Sequence, residues 1–286
     1  MKADHVLIEL QCRPRHRDAF TRTDLVALLG TSTLLLVLLL TGAWSTGERS
    51  RQAVCFNHHR LLARAWLDYA NDHAGKLVGN LEGGGVMSLS YSNLTWVLGW
   101  LDFGGGFPPG ADTNTLYLTK YSPLAPYLDG DARTFRCPAD FSLSRGSQGS
   151  PRVRSYSMNG YLGRVSGWSA GYRTIRQLGD ISPMTPSRLF VFIEEQENSI
   201  NDGVFFCDMT GYLPRDPRGF TIIDFPAAWH GGGATLSFAD GHVESWLWRD
   251  RRTTPLLKFG QPLALGQISP NNVDVARLQD VTTRPQ

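Results

Sequence analysis

The sequence predicts an α+β protein in which one long N-terminal helix lies against an antiparallel sheet with long loops. Three observations predict it. An uncharged run from Leu25 to Trp44 passes directly into a segment with helical apolar spacing. Two alternating segments flank Asp240-Gly241 in the C-terminal half. The 30 Gly, 16 Pro, 8 Trp and 9 Tyr favour a body of strands and turns over a helix bundle.

The first element is LVALLGTSTLLLVLLLTGAW, twenty residues from Leu25 to Trp44. As a helix it would extend about 30 Å, enough to cross a bilayer once. Thr31, Ser32, Thr33 and Thr41 can bond back to helix carbonyls, and Trp44 stands where an interfacial ring is expected. A cleaved signal peptide is the competing reading. The run exceeds a usual signal core and lacks a small-x-small cleavage site, so a retained anchor is expected. The arginines at 13, 15, 17 and 22 lean toward an internal N-terminus.

The second element, from 45 to 75, places Val54, Leu61, Leu62, Ala65, Trp66 and Tyr69 near one face, with Arg60, Arg64, Asp68 and Asp72 largely elsewhere. Gly75 is its expected stop. His58 and His59 point about 100° apart on a helix and read as a solvated pair. The hairpin comes third: Ala234–Ala239 and His242–Trp248 alternate around Asp240-Gly241, which suits a type I′ turn. These elements divide the chain into a leader (1–24), a transmembrane helix (25–44), the soluble half of that helix (45–75), an α+β domain (76–255) and a tail (256–286).

A net charge of +2, without a basic run interleaved with aromatics, argues against nucleic acid. Cys12 precedes the apolar run, while Cys55, Cys137 and Cys207 follow it. Those three allow at most one internal disulfide, or three buried thiols. The Gly triplets at 83–85, 104–106 and 231–233 lack a following Gly-Lys-Ser/Thr, so no phosphate loop is indicated.

Glu194, Glu195, Asn201, Asp202, His230, Asp240 and His242 would converge if their segments shared one sheet. The expected metal set is Glu195, Asp202, His230 and Asp240. Oxygen donors suit Ca²⁺, and added imidazoles shift the preference toward Zn²⁺ or Mn²⁺. The plainer reading gives Asp240 turn chemistry and His230 a backbone hydrogen bond, with no cofactor. Gly167-Trp168-Ser169-Ala170-Gly171 fits a hydrolase elbow, with Asp202, Asp208 or Asp224 and then His230 or His242 downstream. The preceding Asn159–Ser166 makes a poor buried strand, so no enzyme is expected.

Ala19-Phe20, with Asp24 at the fifth position from Phe20, resembles a prepilin processing site. Cys55-Phe56-Asn57, Phe135–Asp140, Ser155–Gly160, Phe192–Glu195 and Ser199–Gly203 follow in order. Nine residues then separate His230 from the Asp240-Gly241 pair. Together these resemble a bacterial group of pilin-like and pseudopilin-like proteins. The resemblance implies a type IV pilin-like fold and a methylated Phe20 after cleavage. It also implies a structural or assembly role in type II secretion or pilus-type systems. The implied location is the inner membrane, single-pass, with a cytoplasmic N-terminus and a periplasmic domain. The implied partners are the lipid bilayer, other pilin-like subunits and prepilin peptidase. The alternative is an uncleaved, membrane-anchored extracytoplasmic module that binds carbohydrate or peptide.

Overall fold

The computed structural model describes residues 20–163 and 171–286, with the side chains of 39–46 excluded. Ala19 and Ser169 therefore lie outside the described residues. The chain forms two compact units, Met1–Gly47 and Glu48–Gln286. The first helix, α1 (Arg22–Asp72), has residues in both.

In the first unit α1 is started by a reciprocal cap. The Thr21 amide donates to Asp24 Oδ2 at 2.9 Å, and the Asp24 amide donates to Thr21 Oγ1 at 3.2 Å. Thr31 Oγ1 donates to the Ala27 carbonyl and Thr33 Oγ1 to that of Leu29, as their spacing predicts.

The membrane span is overturned: among the described residues no helix is long and apolar enough to cross a bilayer. The single-pass inner-membrane placement, with its cytoplasmic N-terminus and periplasmic domain, is corrected on the same ground. So is the type IV pilin-like class built on a long apolar helix. The architecture is mixed α and β around a five-stranded sheet.

In the second unit α1 turns Cys55, His59, Leu62, Trp66 and Ala70 inward, all fully buried. This stripe is rotated from the expected one, because Val54 and Leu61 are each 43% exposed. Gly75 ends the helix as expected: at φ +83° its amide reaches back to the Ala70 carbonyl at 2.8 Å.

The strands are β1 (Leu143–Arg145), β2 (Gln148–Pro151), β3 (Tyr156–Asn159), β4 (Phe190–Glu194), β5 (Val204–Phe205), β6 (Thr221–Ile222), β7 (Gly233–Phe238), β8 (Val243–Leu247) and β9 (Gln267–Ile268). Two short helices complete the set, α2 (Leu116–Thr119) and α3 (Val273–Gln279). The main sheet runs β5-β3-β4-β7-β8 and is antiparallel except where β3 meets β5. That parallel edge departs from the expected pattern. The Tyr156–Asn159 and Phe190–Glu194 strands pair directly, which leaves the two-residue β5 to join the free side of β3.

Every residue of β3, β4 and β7 is buried, because both sheet faces are covered. Tyr156, Met158 and Phe192 share a core with Cys55, Leu62 and Trp66 of α1. Ile193, Leu236, Phe238 and Trp246 pack with Leu278 of α3 and with Val281. The expected hairpin is present as β7–β8, but its turn differs. Only Gly241 has a positive φ (+88°), so Asp240 sits in a tight turn closed by the Gly241 amide on the Phe238 carbonyl. One left-handed residue suffices where a type I′ turn would need two.

Candidate functional site

Four side chains from four elements meet under α1. Cys55 comes from the buried stripe of α1, Cys137 from the turn after Phe135, Glu194 from the end of β4, and His230 from the bend leading into β7. Strand alternation decides which glutamate arrives. Tyr156 pairs with Glu194, so both point toward α1, whereas Glu195 points to the opposite side. His230 is held by a bend closed on itself, its amide donating to the Gly233 carbonyl at 3.2 Å. Gly231 and Gly232 supply the positive φ angles that bend requires.

One donor atom from each residue lies within 4.8 Å of every other. The Cys55 thiol donates to Glu194 Oε1 at 2.8 Å. His230 Nε2 is 3.0 Å from that same oxygen and 3.3 Å from Cys137 Sγ. Outside this group the Thr235 amide donates to Glu194 Oε2 at 2.7 Å, Tyr156 Oη lies 3.4 Å from Cys55 Sγ, and the Ala139 amide donates to Cys137 Sγ at 3.4 Å. The His230 and Glu194 side chains are wholly shielded from solvent. Burial pushes both the Cys137 thiol and the Glu194 carboxyl up from their ordinary values. A nucleophile and a base are thus in contact at a buried position.

Of the expected metal set, only His230 belongs to this cluster. Glu195 accepts from Ser199 Oγ at 2.6 Å, on the far face of the sheet. Asp202 fastens a loop, accepting from the Gly83 and Val204 amides at 2.8 Å each. Asp240 is at the hairpin tip, where it accepts from the His242 amide and lies 2.5 Å from His242 Nδ1; His242 Nε2 is 3.2 Å from Glu244. The His230, Asp240, Gly241 box therefore splits. His230 is a core residue, and the other two make the turn.

Asp24 is occupied as a helix cap, and Phe20 is 68% exposed beside it. Of the hydrolase partners, Asp224 accepts from the Phe206 amide at 2.6 Å and Asp208 from that of Thr210 at 3.1 Å. His59 is not solvated: it is fully buried with its ring 4.6 Å from that of Tyr156. Sequence reasoning missed Cys55 and Cys137 as a pair. It counted Glu194 among the converging residues but left it out of the expected metal set, although a carboxylate closing the apolar Phe190–Ile193 strand was a visible anomaly.

A second feature lies on the outward side of α1. A groove of about 650 Å³ runs between that helix and the 131–151 segment. It is lined by Val54, Leu61, Pro138, Phe141 and Leu143, together with the polar His58 and Arg136. Phe141 is 72% exposed there.

Fold and site together define a mixed α/β protein with a five-stranded sheet and a sealed cluster of two thiols, a carboxylate and an imidazole. Compared with protein-family models, curated proteins and solved structures, the chain gives no match.

Proposed function

We propose that this protein is a non-catalytic assembly subunit whose copies associate by seating the 25–38 helix of one chain in the α1 groove of another. The observation that carries this reading is the presence, in one chain, of two apolar surfaces, one on a helix and one in a groove. Leu28, Leu29, Leu34, Leu35, Leu36 and Leu38 of the helix are each 55–61% exposed. The groove offers Val54, Leu61, Phe141 and Leu143. Contiguous apolar surface of this kind marks an association site. Assembly through helix packing is also the role implied by the resemblance to pilin-like proteins. Carbohydrate fits the groove less well, since among the described residues Phe141 is the only Phe, Tyr or Trp lining it.

The test is a photo-reactive benzophenone side chain introduced at Phe141 in the full chain, irradiated in a mixture of isotope-labelled and unlabelled protein. Mixed-isotope crosslinks into residues 25–38 are expected. Crosslinks confined to one chain, or none into that helix, would refute the reading.

A further inference from the structure

We infer that Cys55, Cys137, Glu194 and His230 form a structural site for one thiophilic divalent cation of the Zn²⁺ type. The donor atoms are Cys55 Sγ, Cys137 Sγ, one Glu194 oxygen and His230 Nε2.

Geometry is the first support. Zn²⁺ bonds of about 2.0–2.3 Å place tetrahedral donors roughly 3.3–3.8 Å apart. The contacts of 2.8, 3.0 and 3.3 Å among these donors need to open by only a few tenths of an ångström, or by about 1 Å at most. No strand has to move, because each donor ends a short side chain held by its own element.

Chemistry is the second. Two sulfurs, one nitrogen and a single carboxylate are a poor set for Ca²⁺, which takes six to eight oxygens, and suit Zn²⁺ or a similar borderline cation. Binding is balanced by release of the two thiol protons to solvent, leaving a site formed by two thiolates, a carboxylate and a neutral imidazole. The ion would replace hydrogen bonds that share one glutamate oxygen between a thiol and an imidazole.

The third support lies around the cluster. The buried His59 sits one helical turn beyond Cys55, with its ring 4.6 Å from that of Tyr156. The Thr235 amide holds Glu194 Oε2, the kind of outer contact that aims a metal-binding carboxylate. All four ligand positions are filled by protein and none faces solvent, so the ion would hold the helix, the 137 turn, β4 and the 230 bend together. It would have no open position for a reacting water.

The experiment uses the full chain with reduced thiols. Elemental analysis after gel filtration should find a single tightly held ion per chain, and chelation should lower the melting temperature. Cobalt exchanged into the wild-type protein should show thiolate-to-metal charge transfer and the strong visible bands of a tetrahedral site. C137S should bind cobalt at least about a hundredfold more weakly and lose the charge-transfer intensity, while C207S keeps both. An octahedral, thiolate-free cobalt spectrum in wild-type protein would overturn the assignment, and the readout does not depend on a variant that folds. Mass-spectrometric detection of a Cys55–Cys137 disulfide in the isolated protein would overturn it equally.

Discussion

Truncating the exposed leucines of the N-terminal helix should dissolve the proposed assembly by a calculable amount. Leu28 is 55% exposed and Leu35 is 60% exposed, and they lie two helical turns apart on one face. Full burial of a leucine side chain is worth about 1.5–3 kcal/mol, so burying the exposed fraction yields about 1–1.5 kcal/mol at each position after allowing for the retained Cβ. Together the two contribute about 2–3 kcal/mol, and at 1.4 kcal/mol per tenfold L28A/L35A should weaken association roughly 30–150-fold. Alanine is the best helix former, so the helix itself is kept. Sedimentation equilibrium of the full chain over a concentration series reads the effect. Leu256, 88% exposed and outside the helix, supplies the control, since L256A should change nothing. A wild-type chain that stays monomeric, or a double variant that associates as tightly, would refute the reasoning.

Three further outcomes follow from the globular unit. Burial, and after it the neighbouring Asp224, holds the Glu195 carboxyl well above the usual range. A raised acid keeps in the folded state a proton that the unfolded state releases, so its linkage lowers stability as pH climbs from the unfolded value near 4.3 toward the folded one. E195Q should flatten that decline above about pH 4.3, and urea melts showing equal slopes for both proteins would disprove it. Gly203 has its Cα against Trp96 and Val97, where an added Cβ would lie 2.7 Å from the indole nitrogen and 2.5 Å from Val97 Cγ2. G203A should therefore cost about 1–3 kcal/mol in chemical denaturation, and a neutral result would show that the contact yields. The buried Arg154 donates to the carbonyls of Leu98, Gly99, Asn201 and Asp202, the last at 2.7 Å. R154M would strand them at about 1–3 kcal/mol apiece, offset in part by relief of a buried charge, for a net loss of about 2–4 kcal/mol by urea titration.

Some of this architecture was readable from local chemistry. Asp240-Gly241 between alternating segments identified β7–β8, since only a turn with a left-handed residue joins such strands so closely. Gly75 marked the helix end for the same reason. The buried face of α1 was read only in part. Leu62, Ala65 and Trp66 are buried as expected, but Val54 and Leu61 are exposed and the sheet receives Cys55 and His59 in their place. The thiol, carboxylate and imidazole cluster was less legible still. Glu195 and Asp202 stood out as charges near a strand end, yet strand alternation turns Glu194 toward α1 and its neighbour away, and nothing local says which face the helix will cover. Leu25–Trp44 shows the opposite failure. Its composition suggested a span, but among the described residues no helix is long and apolar enough to cross a bilayer.

The four cluster residues are widely scattered along the polypeptide: Cys55 and Glu194 stand 139 positions apart, Cys137 and His230 are 93 apart, and even the nearest pair, Glu194 and His230, is separated by 36. No fragment emerging from the ribosome can close this knot until the stretch beyond His230 has been synthesised. Closure therefore depends wholly on long-range packing, because no local stretch of chain brings the two sulfurs, the carboxylate and the imidazole together.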